Sequence, residues 1–314
     1  MGWAPMTLSL GEAEIGELLS PAEAIVAVEA SFQRIARGEV DNRPRQRIPL
    51  PGGQYAVMAC VDRGLGYAGL KTYTWTGAGM AFVVVLFSLE TGRFEAVLEA
   101  DKLGQLRTGA ASAVAAARLA RAGATSLGVI GCGWQAASQV ACIREAVPSL
   151  ERVFAYCRNP ERLAEFCRAN RCEPAGSNQE AAAHDIVVTV TTSKDPVLRG
   201  EWLPEGALVC AVGANDPGRR ELDNAVLERA AFVCCDSRAQ SKLESGDLIE
   251  PVAQGVLDWL EVHELHQVVA GELQGRAAPE DIVVFKSNGL AAWDLAAGAR
   301  VVELARERGS GREL

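Results

Sequence analysis

Residues 126–136 of this chain read Ser126-Leu-Gly-Val-Ile-Gly-Cys-Gly-Trp-Gln-Ala136, and this segment carries the strongest fold signal. An apolar run ends in Gly131-Cys132-Gly133, and a segment with helical spacing, 135–146, follows. In this Gly-x-Gly-x-x-Ala pattern Gly131 permits a tight strand-to-helix turn, Gly133 lets the backbone approach a pyrophosphate, and Ala136 allows close packing of helix on strand. The helix N-terminus adds unpaired N–H donors and a favourable dipole. Because a strand precedes the pattern and a helix follows it, the stretch predicts a dinucleotide-binding unit.

Composition limits the class of protein. The chain has 314 residues, of which 49% are hydrophobic and 23% charged, so it has room for about two domains with buried cores. A net charge of −9 argues against nucleic acid or an acidic membrane surface as a partner. No apolar run approaches the roughly 18 residues that span a bilayer, and no signal peptide is visible.

The cysteines and histidines do not indicate a stabilising framework or a metal site. Nine cysteines lie mostly inside apolar runs and form no Cys-x-x-Cys pair, which is typical of small hydrophobic residues in a reducing cytosol. We therefore expect a cytoplasmic protein. His263 and His266 have a His-x-x-His spacing without an evident third ligand, so no zinc site is expected. The patterns of serine hydrolases and P-loop nucleotidases do not occur.

The N-terminal third has the pattern of an α+β unit. Ser20-Pro21-Ala22-Glu23 predicts a capped helix start, and the helix is expected to run to about residue 38. Short strands are predicted at 55–61 and 66–73, a hairpin at 82–99, and an alanine-rich helix at about 103–122. At the other end of the chain a helix over 290–306 is followed by a charged tail that we expect to be frayed.

From residue 126 onwards strands and helices alternate. Strands are predicted at 127–130, 153–157, 186–190, 208–212 and 232–235, separated by helical stretches such as 160–168 and 222–230. Such alternation implies right-handed crossovers and a parallel sheet covered on both faces, a Rossmann-type doubly wound α/β fold. Ligands of such sheets bind beyond the carboxyl ends of the strands.

The end of the second of these strands bears on the choice of cofactor. NAD sites carry Asp or Glu there to accept hydrogen bonds from the ribose 2′-OH, whereas this chain has Tyr156-Cys157-Arg158-Asn159. Arg158 could hold a 2′-phosphate through charge-assisted hydrogen bonds. We therefore favour NADP(H). Alternatively, Arg158 starts a loop and pairs with Glu161 or Glu165, which leaves NAD(H) possible.

Five collinear strings resemble the ornithine cyclodeaminase/mu-crystallin family over residues 44–297. They are the fingerprint, Arg107-Thr108-Gly109-Ala110, Gly213-Ala214-Asn215-Asp216-Pro217-Gly218-Arg219-Arg220-Glu221-Leu222, Glu244-Ser245-Gly246-Asp247, and Val284-Phe285-Lys286-Ser287-Asn288-Gly289 followed by Asp294. The resemblance implies a Rossmann domain over 119–289 and a substrate-binding and dimerisation domain of 1–118 with 290–314. It also implies a homodimer that binds NAD or NADP and acts on a small α-amino or α-imino acid.

The resemblance also suggests site residues. By similarity Arg45, Lys71 and Arg107 hold the substrate carboxylate, with Thr108 beside them. The expected contacts of the cofactor are Gly131, Gly133, Trp134, Gln135, Ala136, Arg158, Asn159, Thr191, Val212, Ser287 and Asn288. Two guanidinium groups and an ammonium suit this task, because they orient a carboxylate through charge-assisted hydrogen bonds. Lys71 could in addition protonate an imine, provided that burial and cationic neighbours lower its pKa. The plainer alternative is that Arg45 and Arg107 are ordinary surface or ion-paired residues.

The chain departs from the cyclodeaminases at two positions. Similar cyclodeaminases place carboxylates where this chain has Ala56 and Asn215, and Asn215 cannot take up a proton. Asp216 is adjacent and is a candidate replacement. An unpaired buried ammonium is costly, so we expect a reductase of a cyclic ketimine, a pyrroline- or piperideine-2-carboxylate, rather than an ornithine cyclodeaminase. A non-catalytic NADP-binding protein of the crystallin type is a further alternative.

Overall fold

The computed structural model describes residues 7–314 and divides them into two compact units. The first unit comprises the described residues up to Arg107 together with Gly289–Leu314, and the second is Thr108–Asn288. The first boundary falls inside a helix, ahead of the residue 118 expected from the sequence. No helix within the described 7–314 is both long and apolar enough to cross a membrane.

The helices and strands are as follows in chain order. Up to the boundary helix they are β1 (Leu8–Leu10), α1 (Glu12–Leu18), α2 (Pro21–Ala36), β2 (Val40–Asn42), β3 (Gln46–Leu50), β4 (Gly53–Asp62), β5 (Tyr67–Thr76), β6 (Gly79–Ser88), β7 (Phe94–Glu99) and α3 (Asp101–Leu119). Beyond it they are β8 (Ser126–Ile130), α4 (Trp134–Ala146), β9 (Arg152–Tyr156), α5 (Pro160–Asn170), β10 (Glu173–Pro174), α6 (Asn178–Ala182), β11 (Ile186–Thr189), β12 (Leu208–Ala211), α7 (Asn224–Glu228), β13 (Ala230–Cys235), α8 (Arg238–Glu244), α9 (Gly246–Ala253), β14 (Val262–Glu264), α10 (Leu265–Val269), β15 (Ile282–Lys286), α11 (Ala291–Arg308) and β16 (Arg312–Glu313).

The first unit is a mixed sheet covered by helices. Its strand order is β16-β1-β7-β6-β5-β4-β2, with β3 also paired to β4. The long strands β4, β5 and β6 form antiparallel ladders in which Met58 lies opposite Lys71 and Lys71 opposite Val84. Helix α11 packs on these strands and α2 packs on α11, where the Phe32 and Trp293 rings lie 5.2 Å apart. Lys71 therefore lies on a central strand of the sheet.

The C-terminal tail is ordered, so the prediction of a frayed end was wrong. Gly309 ends α11 in the left-handed conformation with φ 64°, which reverses the chain. Residues Arg312 and Glu313 then pair antiparallel with β1, and the N–H of Leu314 donates to the Thr7 carbonyl at 2.9 Å. The main-chain N–H and C=O groups of the edge strand β1 pair with the tail, although the tail is charged.

The second unit is a parallel sheet with the order β10-β9-β8-β11-β12-β15-β13-β14. All of its pairings are parallel, and the first five strands follow the 3-2-1-4-5 order with which a doubly wound dinucleotide fold begins. The predicted α/β fold class with a Rossmann-type sheet is confirmed. Strand β15, which was recognised only as part of a motif, lies between β12 and β13 and is fully buried.

Candidate functional site

The glycine bend after β8 has the geometry that its sequence predicts. Gly131 has φ +114°, and a Cβ there would lie 2.4 Å from the Val190 carbonyl oxygen, so only glycine fits. Gly133 precedes α4 without a side-chain cap, and the space in front of it is open. Trp134 is exposed and Ala136 is fully buried. An uncapped helix N-terminus behind an open glycine fits the approach of a pyrophosphate.

The neighbouring residues of the bend and of β9 complete this part of the site. The Oε1 atom of Gln135 is buried and has no hydrogen-bond partner among residues 7–314. Arg158 is exposed and makes no ion pair with any residue of 7–314, so the alternative pairing with Glu161 or Glu165 is not observed. Asn159 caps α5 by accepting the Arg162 N–H at 2.9 Å. The end of β9 therefore presents a cation and no carboxylate.

The predicted cofactor residues at the other strand ends take part in hydrogen bonds within the second unit. Thr191 follows β11 and donates its N–H and hydroxyl to Glu221 Oε1 at 2.6 and 2.8 Å, while Val212 follows β12. Ser287 and Asn288 follow β15, and both donate to Asp236 Oδ2, at 3.2 and 2.6 Å. These residues line the edge of the sheet where its carboxyl ends lie.

In the first unit two of the predicted cations share one carboxylate. Lys71 Nζ and Arg107 Nε lie 3.1 and 2.9 Å from the same oxygen, Asp294 Oδ1. All three side chains are buried, on β5, α3 and α11. Arg107 Nη1 and Nη2 make no hydrogen bond within the described residues and keep their donors. The cluster holds two cations against one anion, so it suits a further carboxylate.

The surroundings of Lys71 lower its pKa to about 8. Burial is the main cause and the positive charges of Arg107 and Arg45 add to it, whereas Asp294 opposes it. The Nζ atom lies 5.2 Å from the centroid of the Phe82 ring. A Cβ on Gly104 would lie 2.6 Å from Nζ, so glycine at this position leaves room for the ammonium.

Arg45 directly precedes β3, next to the same strands. Its Nε lies 3.4 Å from Met58 Sδ, and Met58 is opposite Lys71 in the ladder. Arg45 is half-buried, and its charge contributes to the lowered pKa of Lys71. The three cations expected from the resemblance thus belong to one neighbourhood of the first unit.

The remaining predicted residues lie elsewhere. Ala56 is buried in β4, where its carbonyl accepts the Thr72 hydroxyl at 3.0 Å. Asn215 and Asp216 belong to the loop after β12 in the second unit, and Asp216 Oδ1 accepts the Gly218 N–H at 2.9 Å. Thr108 continues α3 as the first residue of the second unit.

Four buried charged residues have no role that the sequence predicts. Asp294 pairs both cations in the first unit, while Glu221, Asp247 and Lys286 form a buried network in the second. A charged residue inside an apolar or alanine-rich stretch is the signal that could have identified Asp294 and Lys286, because buried charges need partners.

The family model of the ornithine cyclodeaminase/mu-crystallin family matches residues 6–309. The chain belongs to this family. Alanine dehydrogenase of Archaeoglobus fulgidus is 35% identical, with 98% of both chains covered. Delta(1)-pyrroline-2-carboxylate reductase of Bacillus cereus is 32% identical over 95% of this chain and 96% of the relative.

Solved structures of other proteins are similar to this chain over nearly its whole length. The Delta(1)-pyrroline-2-carboxylate reductase of Thermococcus litoralis in complex with NADH and L-proline has a TM-score of 0.92 at 29% identity, with 98% and 100% coverage. An archaeal alanine dehydrogenase dimer with bound NAD has a TM-score of 0.92 at 33% identity, with 98% of both chains covered. The predictions of this family and of an NAD(P)-dependent oxidoreductase acting on CH–NH or C=N bonds are confirmed, and so is a nicotinamide dinucleotide as cofactor.

The position of Asp294 gives a stability prediction. Asp294→Asn removes the charge between two buried cations, and we expect it to lower the free energy of unfolding at pH 7 by about 3–5 kcal/mol. The double variant with Lys71→Met should regain part of this loss, because one stranded cation is removed. Urea denaturation measures both. A loss below about 1 kcal/mol for the single variant would contradict the pairing.

Proposed function

We propose that this protein reduces the C=N bond of a cyclic α-imino acid, a pyrroline- or piperideine-2-carboxylate, to the corresponding cyclic amino acid. The observation that carries the proposal is the buried cluster of Lys71, Arg107 and Asp294, in which Arg107 keeps donors for a ligand. The names of the relatives support the same class of reaction, since they are reductases and dehydrogenases of small amino or imino acids.

Arg107 would bind the substrate carboxylate. Its Nε is fixed by Asp294, so its Nη1 and Nη2 are pre-oriented for a second, bidentate partner. Arg45 would add a second guanidinium from the start of β3. Binding through a rigid fork lowers the conformational entropy that is lost on association.

Lys71 would protonate the imine nitrogen. The bound nicotinamide dinucleotide supplies the hydride for the imine carbon. When the carbon accepts the hydride, the π electron pair of the C=N bond moves to the nitrogen. The nitrogen then takes up one proton and becomes an amine. Lys71 can provide it near neutral pH, because its pKa of about 8 leaves the ammonium both populated and acidic. Its hydrogen bond to Asp294 holds Nζ in place.

Cyclodeamination of ornithine is the less favoured reaction for this chain. It would require an anionic partner for a second substrate amine, and neither Ala56 nor Asn215 supplies one. The only carboxylate that contacts Lys71 within the described residues is Asp294, which is already shared by two cations. A neutral ring nitrogen, which a ketimine offers, avoids this cost.

We further propose NADP(H) as the preferred cofactor and a homodimer as the working form. Arg158 is exposed, unpaired within the described residues and located directly after β9, where the adenosine ribose of such folds binds. The dimer is proposed by analogy with the archaeal alanine dehydrogenase dimer.

A panel of substrates tests the reaction. We expect steady oxidation of NADPH with pyrroline- or piperideine-2-carboxylate, and no ammonia release from ornithine. Arg107→Met should raise KM for the imino acid more than about tenfold through loss of charge-assisted hydrogen bonds, while the Kd of NADPH changes less than about twofold. Arg118→Met, an exposed substitution on the same helix, serves as the control. Equal loss of both ligands would disprove the role given to Arg107, and ammonia release would favour the cyclodeaminase.

The pKa of Lys71 predicts opposite pH profiles in the two directions. Imine reduction needs protonated Lys71, so its kcat/KM should fall as pH rises through about 8. Amine oxidation needs the neutral form, so its kcat/KM should rise through the same range. In Lys71→Gln the change of kcat/KM near pH 8 should disappear in both directions, together with most of the activity. If kcat/KM of this variant still changes near pH 8, another group is responsible.

The role of Arg158 is tested through cofactor preference. Arg158→Gln removes charge-assisted hydrogen bonds worth about 1.5–3 kcal/mol each, so KM for NADPH should rise at least about tenfold while KM for NADH stays constant. Arg168 is exposed near the end of α5, the helix that follows Arg158. Arg168→Gln serves as the control and should change neither KM. A wild-type protein with lower KM for NADH than for NADPH would refute the preference.

A further inference from the structure

Three charged side chains are fully buried together in the second unit. They are Glu221, Asp247 and Lys286, and none has exposed surface. Lys286 Nζ lies 2.8 Å from Asp247 Oδ2 and donates to the Ala214 carbonyl at 2.5 Å. Asp247 Oδ1 accepts the backbone N–H groups of Glu221 and Leu222 at 2.6 and 2.9 Å. The network therefore fixes the main chain at Glu221.

The carboxylate of Glu221 joins the loops that follow two neighbouring strands. Its Oε1 accepts the Thr191 N–H and hydroxyl, at 2.6 and 2.8 Å, after β11. Its Oε2 accepts the Gly213 and Ala214 N–H groups, at 2.7 and 3.2 Å, after β12. Gly213 is required for this approach, since a Cβ there would lie 2.3 Å from the Thr191 nitrogen. Four donors and no acceptor match an ionised carboxylate.

Lys286 brings the third strand into the same network. It is the last residue of β15, which pairs with β12. The carboxyl ends of β11, β12 and β15 are thus tied to one another through Glu221 and its partners. In the sheet these three strands lie on the side of β8 opposite to β9, in the half that binds the second mononucleotide. Thr191 follows β11, the strand next to β8, so its loop lies beside the glycine bend.

We propose that Glu221 is the positioning residue of the nicotinamide half of the cofactor site, acting through the loops at Thr191 and Gly213. The inference rests on the proposed function, because it takes the nicotinamide dinucleotide as ligand. Burial raises the pKa of Glu221 and the positive charge of Lys286 opposes this shift. A buried ion pair often adds little to fold stability compared with apolar residues of similar volume. The geometry of the two loops is the property that Glu221 determines directly.

The test separates the two halves of the cofactor. Glu221→Gln keeps the shape but replaces one acceptor by a donor, so one of the two loops loses its partner. We expect the Kd of NADPH to rise at least tenfold by calorimetry, and that of 2′-phospho-ADP-ribose, which lacks nicotinamide, to change less than twofold. If the wild type prefers NADH, the pair is NADH and ADP-ribose. Thr191→Val removes the hydroxyl that donates to Glu221 and accepts the Ser193 N–H, and it should act in the same direction more weakly.

Glu250→Gln is the matched control, since its carboxylate forms a surface ion pair with Arg220 at 3.1 Å; it should leave both affinities unchanged. Selective loss of the complete dinucleotide supports the inference. Equal loss of both ligands, or no loss of either, in both Glu221→Gln and Thr191→Val overturns it. Wild-type protein that binds 2′-phospho-ADP-ribose and ADP-ribose but reduces no imino acid would refute the proposed substrate while leaving the positioning role measurable. Failure to bind any nicotinamide dinucleotide would refute both.

Discussion

The buried charge cluster of the first unit depends on one carboxylate, Asp294. It lies on the last helix, α11, and holds Lys71 of β5 and Arg107 of α3, which are 223 and 187 residues away in the sequence. Taking these charges out of water is costly, and the cost is offset only when they are paired in good geometry. Pairing is incomplete, since two cations meet one anion. The cluster can therefore be stable without a ligand and still attract a small carboxylate.

The second unit was largely predictable because its signals are local. A strand, a glycine bend and a helix lie within residues 126–146, and their burial and φ angles follow from the residue types themselves. The ladder of parallel strands followed from the alternation of apolar runs. By contrast, β15 and the tail strand β16 pair with strands far away in the sequence. Their pairing depends on tertiary contacts, which override composition.

The candidate site was predictable in its residue types and not in its connections. The resemblance pointed to Lys71 and Arg107, but nothing in the sequence indicates that both contact the same oxygen of Asp294. The lowered pKa of Lys71 follows from that arrangement, because the effect of burial outweighs that of a single shared counter-ion. Glu221 was missed for the same reason: its four donors come from loops about 7 to 30 positions away, and only the fold brings them together.

The two units use their hydrogen-bond donors differently. Some donors are bonded within the protein and hold its loops, whereas others remain available to a ligand. Around Glu221 the main-chain donors of Thr191, Gly213 and Ala214 are taken up by one carboxylate, so these groups hold the loops and are not available to a ligand. Arg107 keeps donors at Nη1 and Nη2 that no described residue uses, and a glycine, Gly133, precedes the first turn of α4. Donors that are free but rigidly held bind an anion with little loss of conformational entropy, because they are already ordered. A carboxylate in the first unit and a pyrophosphate in the second are the anions that these groups suit.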